Sequence, residues 1–366
     1  MLYAPKSGGV KRYLTAKRDW LKLHRPHVDH SLVVPGDVDA YHGEGLWSVY
    51  AVIPFGDGYR LPTSAAAWRR RLIDQRPDLI EAGDPFAPGM AALKAGQTVG
   101  CPVIGFCHTD MGALAGLHIG EWAEKPIRRQ WAKLYDRFDH VLAPSRYMAE
   151  RLRAEGVDSV TAMPLGVDTD IFSPDRADRE AVRETLGLRP DQRLLVFAGR
   201  PAREKRLEIL VEAVEQLGDR YVLLLVGAGE GAPASDRIRC WPYEKHPADL
   251  ARVLASCDAF VHANGTEPFG LVVLEAMACG LPVVGPSIGG IAETVDEAVG
   301  MLAAHQTGNA FAEAIEALFE RDVATIGAAA RRRAVARHRW DVVFERLAAF
   351  YAAKTGRPGF LGARPF

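Results

Sequence analysis

The chain has few cysteines and no pairing pattern among them. The five, at positions 101, 107, 240, 257 and 279, are odd in number and contain no CxxC. Reduced thiols in a cytoplasmic protein are therefore expected rather than a disulfide framework. No sign of charge dominates: 45 Lys and Arg against 46 Asp and Glu leave −1, which removes any global drive toward nucleic acid or membrane. No apolar run reaches transmembrane length, and Met1–Gly9 lacks the apolar segment of a secretory signal. The expectation is a cytoplasmic protein that at most touches a membrane surface. The full GxGxxG pattern is absent too, which argues against a nicotinamide enzyme. What remains is an ordinary globular composition, 48% hydrophobic and 25% charged. At 366 residues the chain is long enough for two domains.

One stretch organises the rest: Glu267-Pro-Phe-Gly-Leu-Val-Val-Leu-Glu275, continuing through Ala-Met-Ala-Cys-Gly-Leu-Pro-Val-Val284. It reads as a loop entering a helix over Leu271–Cys279. Pro268 suits the entry, Gly270 allows close approach to the backbone, and Gly280 and Pro282 stop the helix. A helix N-terminus offers free N–H groups and partial positive charge to a phosphate. Glu267 and Glu275 flank that N-terminus and can each bind hydroxyls of one ligand. Diphosphate plus sugar hydroxyls describes a nucleotide sugar. The spacing alone would equally serve an amphipathic helix with two solvated glutamates.

Taken in order, the chain alternates strands and helices. Met1–Pro5 reads as a short strand, followed by Ser7-Gly8-Gly9 and a helix from Val10 to Leu23. Ser31–Pro35 and Val49–Pro54 read as strands, and Ala65–Arg76 as a helix. Leu79–Glu81 leads into Gly83-Asp-Pro-Phe-Ala-Pro88. Pro102–Phe106 is a buried strand that delivers Cys107-His-Thr-Asp110 at its carboxyl end, where open α/β sheets bind ligands. Ile127–Phe138 is a helix, and Ser145 caps another. Leu194–Ala198 is a buried strand followed by Gly199-Arg-Pro-Ala-Arg-Glu-Lys-Arg206, from which Arg200 and Lys205 can converge on a diphosphate. Tyr221–Val226 and Ile238–Tyr243 are further strands, the first ending in Gly227-Ala-Gly-Glu-Gly231. Ala259–Ala263 is the strand before Glu267. The basic run Arg331–Trp340 reads as one solvated helix face rather than a nucleic-acid patch.

The Glu267–Val284 stretch, with Gly289-Gly290-Ile-Ala-Glu293 beyond it, resembles the signature of the retaining glycosyltransferase family 4, the group 1 glycosyl transferases. The likeness extends over nearly the whole chain and feels closest to members acting on glycolipids. It implies an α/β fold of the GT-B type: two Rossmann-like doubly wound domains facing across a cleft. Residues 1–172 would be the acceptor-side domain and 173–340 the nucleotide-sugar domain. Residues 341–366 would be a helix and tail packing back on the first. Asp168-Thr-Asp170 falls in the linker match and is read as structural, not as a metal site.

The resemblance also assigns roles. Glu275 would hold ribose hydroxyls, and Arg200 with Lys205 would bind the diphosphate. The amides around Phe269, Gly270 and Leu271 would complete that clamp. Glu267 would hold donor-sugar hydroxyls, and His108 would lie at the reacting centre. Gly8 and Gly9 would approach the diphosphate and the acceptor. The expected activity is retaining transfer of a sugar from a UDP- or GDP-sugar to a lipid-linked or saccharide acceptor, with neither metal nor cofactor. A sugar-nucleotide epimerase and a non-catalytic nucleotide-sugar-binding protein are the alternatives. Two basic-aromatic helices suggest peripheral contact with an anionic membrane. The first combines Lys11, Arg12, Lys17, Arg18 and Lys22 with Tyr13 and Trp20; the second combines Lys125, Arg128, Arg129, Lys133 and Arg137 with Trp122, Trp131 and Tyr135.

Overall fold

The computed structural model describes residues 8–55, 59–62, 64–83, 85–228 and 235–360. The strand expected at Met1–Pro5, together with Ser7, Asp84 and Gly229-Glu-Gly231, lies outside the described residues. The chain forms two compact units, Met1–Leu165 with Trp340–Phe366, and Gly166–Arg339. The divisions therefore fall at 165/166 and 339/340, against the expected 172/173 and 340/341. Arg331 explains the first offset: its guanidinium donates to the carbonyls of Thr169 and Phe172, binding that segment to the second unit. Arg333 likewise binds the Thr294 carbonyl and Asp296. The basic run is thus partly a set of structural ties, not the wholly solvated face expected.

In the first unit the strands are β1 (Leu32–Gly36), β2 (Ala40–Tyr41), β3 (Leu46–Tyr50), β4 (Ile53–Phe55), β5 (Tyr59–Leu61), β6 (Ile80–Ala82), β7 (Val103–Phe106), β8 (His140–Ala143) and β9 (Val160–Ala162). β6 to β9 form a parallel sheet in that order, and β1-β3-β2 a separate one. A cavity of about 540 Å³ is lined by residues of β1 and β6, the edge strands of these two sheets. The single strand expected at Val49–Pro54 is replaced by β3 and the β4–β5 hairpin. The cause is upstream: Gly43, Glu44 and Gly45 all take positive φ (86°, 49° and 74°). The chain there reverses between β2 and β3 and sets β3 three residues earlier. The helix expected from Ile127 begins at Glu121 and carries Pro126 inside it. Two further helices, Ala87–Val99 and Met111–His118, stand where no helix was assigned.

The second unit holds one parallel sheet of β10 (Arg193–Ala198), β11 (Tyr221–Val226), β12 (Ile238–Trp241), β13 (Ala259–Val261), β14 (Val283–Pro286) and β15 (Gly300–Ala303). Their order is β12-β11-β10-β13-β14-β15. β11 is buried along its whole length, and β10 from Leu194 onward, as sheets covered by helices on both faces require. Strand order reverses between β10 and β13. Loops leaving the carboxyl ends of these neighbours therefore diverge and open a crevice.

The loop leaving β13 touches the loop leaving β14 backbone to backbone. A Cβ on Gly290 would stand 2.3 Å from the Pro268 carbonyl oxygen, although the φ of Gly290 suits any residue. The helix between the loops, Leu271–Ala278, ends in a Schellman motif: Gly280 N–H donates to Met277 and Leu281 N–H to Ala276, with Gly280 at φ 81°. We expect Gly290→Ala to cost about 1–3 kcal/mol through overpacking alone. Chemical denaturation checks this, and an unchanged midpoint would show that the two loops are not in fixed contact.

Candidate functional site

The residues singled out from the sequence fall in two groups, one in each unit. In the second unit, β10 runs into Gly199 and the exposed Arg200. A short 3-10 turn, Arg203–Lys205, then passes through Arg206, whose φ of 51° redirects the chain into the helix Leu207–Leu217. β13, its neighbour, runs into His262-Ala-Asn264 and on to Glu267. The two loops meet side chain to side chain. Lys205 Nζ donates to Glu267 Oε2 at 2.7 Å, and Asn264 Nδ2 donates to the same oxygen at 3.1 Å.

The loop is tied down at several points. Asn264 Oδ1 accepts from the Thr266 amide and hydroxyl, at 3.0 and 2.9 Å, and Gly290 N–H donates to the Glu267 carbonyl at 2.8 Å. Burial opposes ionisation of Glu267, but Lys205, His262 and the Lys205 and Asn264 hydrogen bonds outweigh it and hold the carboxyl below its ordinary range.

His262 accepts the Asn264 amide on Nδ1 at 3.2 Å, which puts the proton of the neutral ring on Nε2, 3.8 Å from Glu267 Oε2. Its ring is 1% exposed. Burial, reinforced by Lys205, pushes its pKa down to about 3. Beyond Glu267, Gly270 adopts φ 86° and opens the helix Leu271–Ala278. Phe269 is buried against His338, with ring centroids 5.9 Å apart. Glu275 is a buried acid in an otherwise apolar helix. Lys205, Glu267 and this helix N-terminus thus share the switch point with the turn carrying Arg200. A cation, an ionised carboxylate and free helix N–H groups there can hold an anion and hydroxyls together.

In the first unit β7 ends at Phe106, and His108 stacks on that ring with centroids 4.1 Å apart and planes at 23°. The Tyr13 ring lies 5.5 Å from the imidazole. His108 Nε2 is buried, sits beside Gly83, and has no hydrogen-bond partner among the described residues. Burial chiefly, with Lys17 adding and Glu81 opposing, lowers its pKa to about 4. Asp110 caps the next helix through the Ala113 amide and pairs with Arg151 at 2.7 Å. Gly8 accepts from Arg12 N–H at the start of the helix Gly9–His24. A side chain at Gly8 would meet nothing within 4 Å among the described residues, so none of these demands glycine there.

Sequence reasoning missed His262 and Asn264. The available signal was their place at the carboxyl end of a buried strand, the same argument that singled out His108. The expected aromatic membrane faces need correction. Tyr13, Trp20, Trp131 and Tyr135 are all core residues, and Lys17 is buried with them. Arg128 is engaged by Glu124 and Glu155. Of that set only Trp122, 77% exposed beside the exposed Ile119, presents an aromatic ring to solvent. Asp168 Oδ1 accepts the amides of Asp170 and Ile171, which folds the linker turn.

Comparison with known proteins matches residues 7–171 to the family model "Glycosyltransferase Family 4" and residues 192–321 to "Glycosyl transferases group 1". The GDP-mannose-dependent alpha-mannosyltransferase of Mycolicibacterium smegmatis is 34% identical over 294 residues, covering 77% of this chain and 75% of that protein. The D-inositol 3-phosphate glycosyltransferase of Xylanimonas cellulosilytica is 34% identical over 241 residues, but the match spans only 58% of its length and 60% of this chain. Among solved structures, sucrose-phosphate synthase from Thermosynechococcus elongatus superposes with a TM-score of 0.78 at 22% identity, covering 95% of this chain and 94% of that one. Anabaena HepE in complex with UDP and glucose gives 0.74 at 22% identity, covering 96% and 97%.

The state of His262 has a measurable consequence. Its folded pKa of about 3 lies below the unfolded value, so the stability it contributes is complete above about pH 6.5 and is lost as pH falls toward 3. In that window His262 should add about 1.4 kcal/mol per pH unit to the slope of unfolding free energy. Urea unfolding from pH 7 to 4 should show a shallower slope in His262→Gln. An identical slope would mean that His262 is already charged in the folded protein.

Proposed function

From a chain that belongs to the family 4, group 1 glycosyltransferases and has their GT-B fold, we propose a retaining, metal-independent transfer of a sugar from a nucleotide-sugar donor. The observation that carries this reading is the 2.7 Å Lys205–Glu267 contact beside the N-terminus of Leu271–Ala278. It couples a group suited to a diphosphate with one suited to sugar hydroxyls. In this reading Glu275 holds the ribose hydroxyls, and Arg200, Lys205 and the amides around Phe269, Gly270 and Leu271 hold the diphosphate. Glu267 holds the donor sugar. His108 meets the reacting sugar, and Gly8 and Gly9 let the substrates approach the backbone.

The acceptor hydroxyl attacks the anomeric carbon on the face from which the diphosphate departs. As the new C–O bond forms, the bond to phosphate breaks and its electron pair stays on the leaving oxygen. That oxygen takes the acceptor's proton. Arg200 and Lys205 stabilise the charge that develops on it, the work a metal ion does elsewhere. GDP-mannose is the first donor to test, because relatives from Mycolicibacterium smegmatis and Mycobacterium tuberculosis are named GDP-mannose-dependent alpha-mannosyltransferases. UDP-sugars belong in the same panel, since the HepE structure holds UDP.

For the acceptor, a lipid-linked saccharide at the cytoplasmic membrane face is the preferred reading, with a soluble saccharide next. It rests on exposed Trp122 and Ile119 beside Lys125, Arg129 and Lys133 along one solvent-facing stripe of the helix Glu121–Tyr135. No helix among the described residues is long and apolar enough to cross a membrane.

A thermal-shift screen against UDP-, GDP- and ADP-sugars should reveal one stabilising donor. Glu275→Gln should weaken binding of the free nucleoside diphosphate more than it slows the chemical step; unchanged affinity would remove its assignment. Lys205→Ala and Arg200→Ala should each lower kcat by roughly two to three decades. Transfer should survive EDTA. Loss of activity on chelation, restored by Mn²⁺ or Mg²⁺, would overturn the metal-free clamp.

Trp122→Ala should weaken sedimentation with anionic liposomes while transfer to a soluble acceptor is unaffected. Salt-insensitive or absent liposome binding in the parent protein would leave the soluble saccharide as the acceptor class.

A further inference from the structure

The first unit buries a cluster of ionisable groups to which no role has yet been given. Glu81, the middle residue of β6, has an almost wholly enclosed side chain. Lys17 Nζ lies 2.6 Å from its Oε1, and both side chains are under 10% exposed. The Tyr13 hydroxyl donates to both carboxylate oxygens at 3.2 Å, and the Tyr351 hydroxyl donates to Oε2. Lys17 also reaches the Tyr351 oxygen at 3.5 Å and stands 5.0 Å from the centroid of the Tyr13 ring. These groups come from the helix Gly9–His24, from β6 and from the helix Trp340–Thr355.

The cluster leads to His108 through one side chain. Tyr13 is pinned at its hydroxyl end by Glu81, while its ring packs on Phe106 at 5.1 Å and on His108 at 5.5 Å. The imidazole is thereby gripped by Phe106 and Tyr13, with Gly83 beside Nε2. The charges facing it from the packed elements are Lys17 on the first helix and Glu81 on β6. Tyr13 and Tyr351 contribute hydroxyls, both with pKa raised well above the usual phenol value, by burial first and then by Glu81. On its own loop lie Cys107, buried, and Asp110, already paired with Arg151.

We propose that Tyr13, Lys17, Glu81 and Tyr351 form a positioning network for His108, fixing its buried ring between Phe106 and Tyr13 so that Nε2 meets the sugar as a hydrogen-bonding group. The inference rests on the reading of His108 as the group at the reacting centre. Lys17 and Glu81 cancel beside the ring: the cation disfavours imidazolium and the carboxylate favours it. The balance gives the network a signature that mere structural support would lack. Removing one member shifts the titration of His108 in a direction fixed by the member's charge.

The test is an NMR pH titration of the histidine ring protons of the full-length protein, with the His108 resonance assigned by its loss in His108→Ala. In the wild type His108 should titrate near or below pH 5. In Lys17→Met the unopposed carboxylate should raise the midpoint by a unit or more, and Glu81→Gln should lower it. The double variant Lys17→Met/Glu81→Gln should return it close to the wild type, and it serves if either single variant fails to fold. Tyr13→Phe, which keeps the ring, should lower kcat several-fold with the donor KM unchanged.

An unmoved His108 titration across the foldable variants would overturn the network while leaving a role for His108 in transfer intact. A shifted titration in Lys17→Met, with transfer unimpaired in His108→Ala, would overturn instead the functional reading on which the network depends.

Discussion

A parallel sheet whose four inner strands are buried on both faces leaves polar groups little room except at the ends of those strands. In the second unit the order β12-β11-β10-β13-β14-β15 adds a direction to that constraint. Chain leaving β10 turns one way and chain leaving its neighbour β13 turns the other, so the two loops flank a single gap. Everything that distinguishes the second unit chemically follows from that gap. Lys205 arrives on one loop, Glu267 and Asn264 on the other, and the helix Leu271–Ala278 starts at its margin. The glycines at 289 and 290 matter for the same reason: their loop must lie against the carbonyls of Gly265 and Pro268 to close the gap's far side.

The apolar strands around this gap were legible because each carries an unbroken apolar run with no competing pattern. The Glu267–Glu275 stretch was legible because its proline and glycines mark both helix ends, and the observed Schellman turn at Gly280 uses them as the sequence suggests. Other features were hidden by the same local logic. Ala87–Val99 is built largely from alanine and glycine, buried on several sides, and offers no contrast between faces. The start of β3 is decided by three consecutive positive-φ residues whose conformation no hydrophobic pattern reports. His262 matters by accepting the Asn264 amide, and Asn264 by bonding Thr266 and Glu267, and a period-based reading does not see those contacts.

The basic-aromatic helices teach the opposite lesson. Tyr13, Lys17 and Trp20 alternate with other cations much as an interfacial helix would. Yet Trp340 and Phe344 from the far end of the chain cover that face, and Glu81 neutralises the lysine inside it. A sequence window contains the helix but not its cover. Removing one partner from such a buried pair costs about 3–5 kcal/mol, because the other charge is left without water or counterion. The helix is therefore committed to the interior as firmly as its apolar residues are.

The first unit is completed only by Trp340–Phe366, so it is interrupted in sequence by the whole of Gly166–Arg339. The two ends of that interruption are adjacent, since Val167 N–H donates to the His338 carbonyl at 2.7 Å and Val167 bridges Arg339. During synthesis the second unit is a continuous stretch that can fold as it emerges, whereas Glu81, Tyr13 and Lys17 must wait for Tyr351. Once the second unit has folded, it draws Leu165 and Trp340 together and acts as a clasp. The long closure that the first unit would otherwise face then becomes a short one. The connectivity thus lets the unit encoded in the middle of the chain be complete before the amino-terminal unit, which waits for the helix Trp340–Thr355.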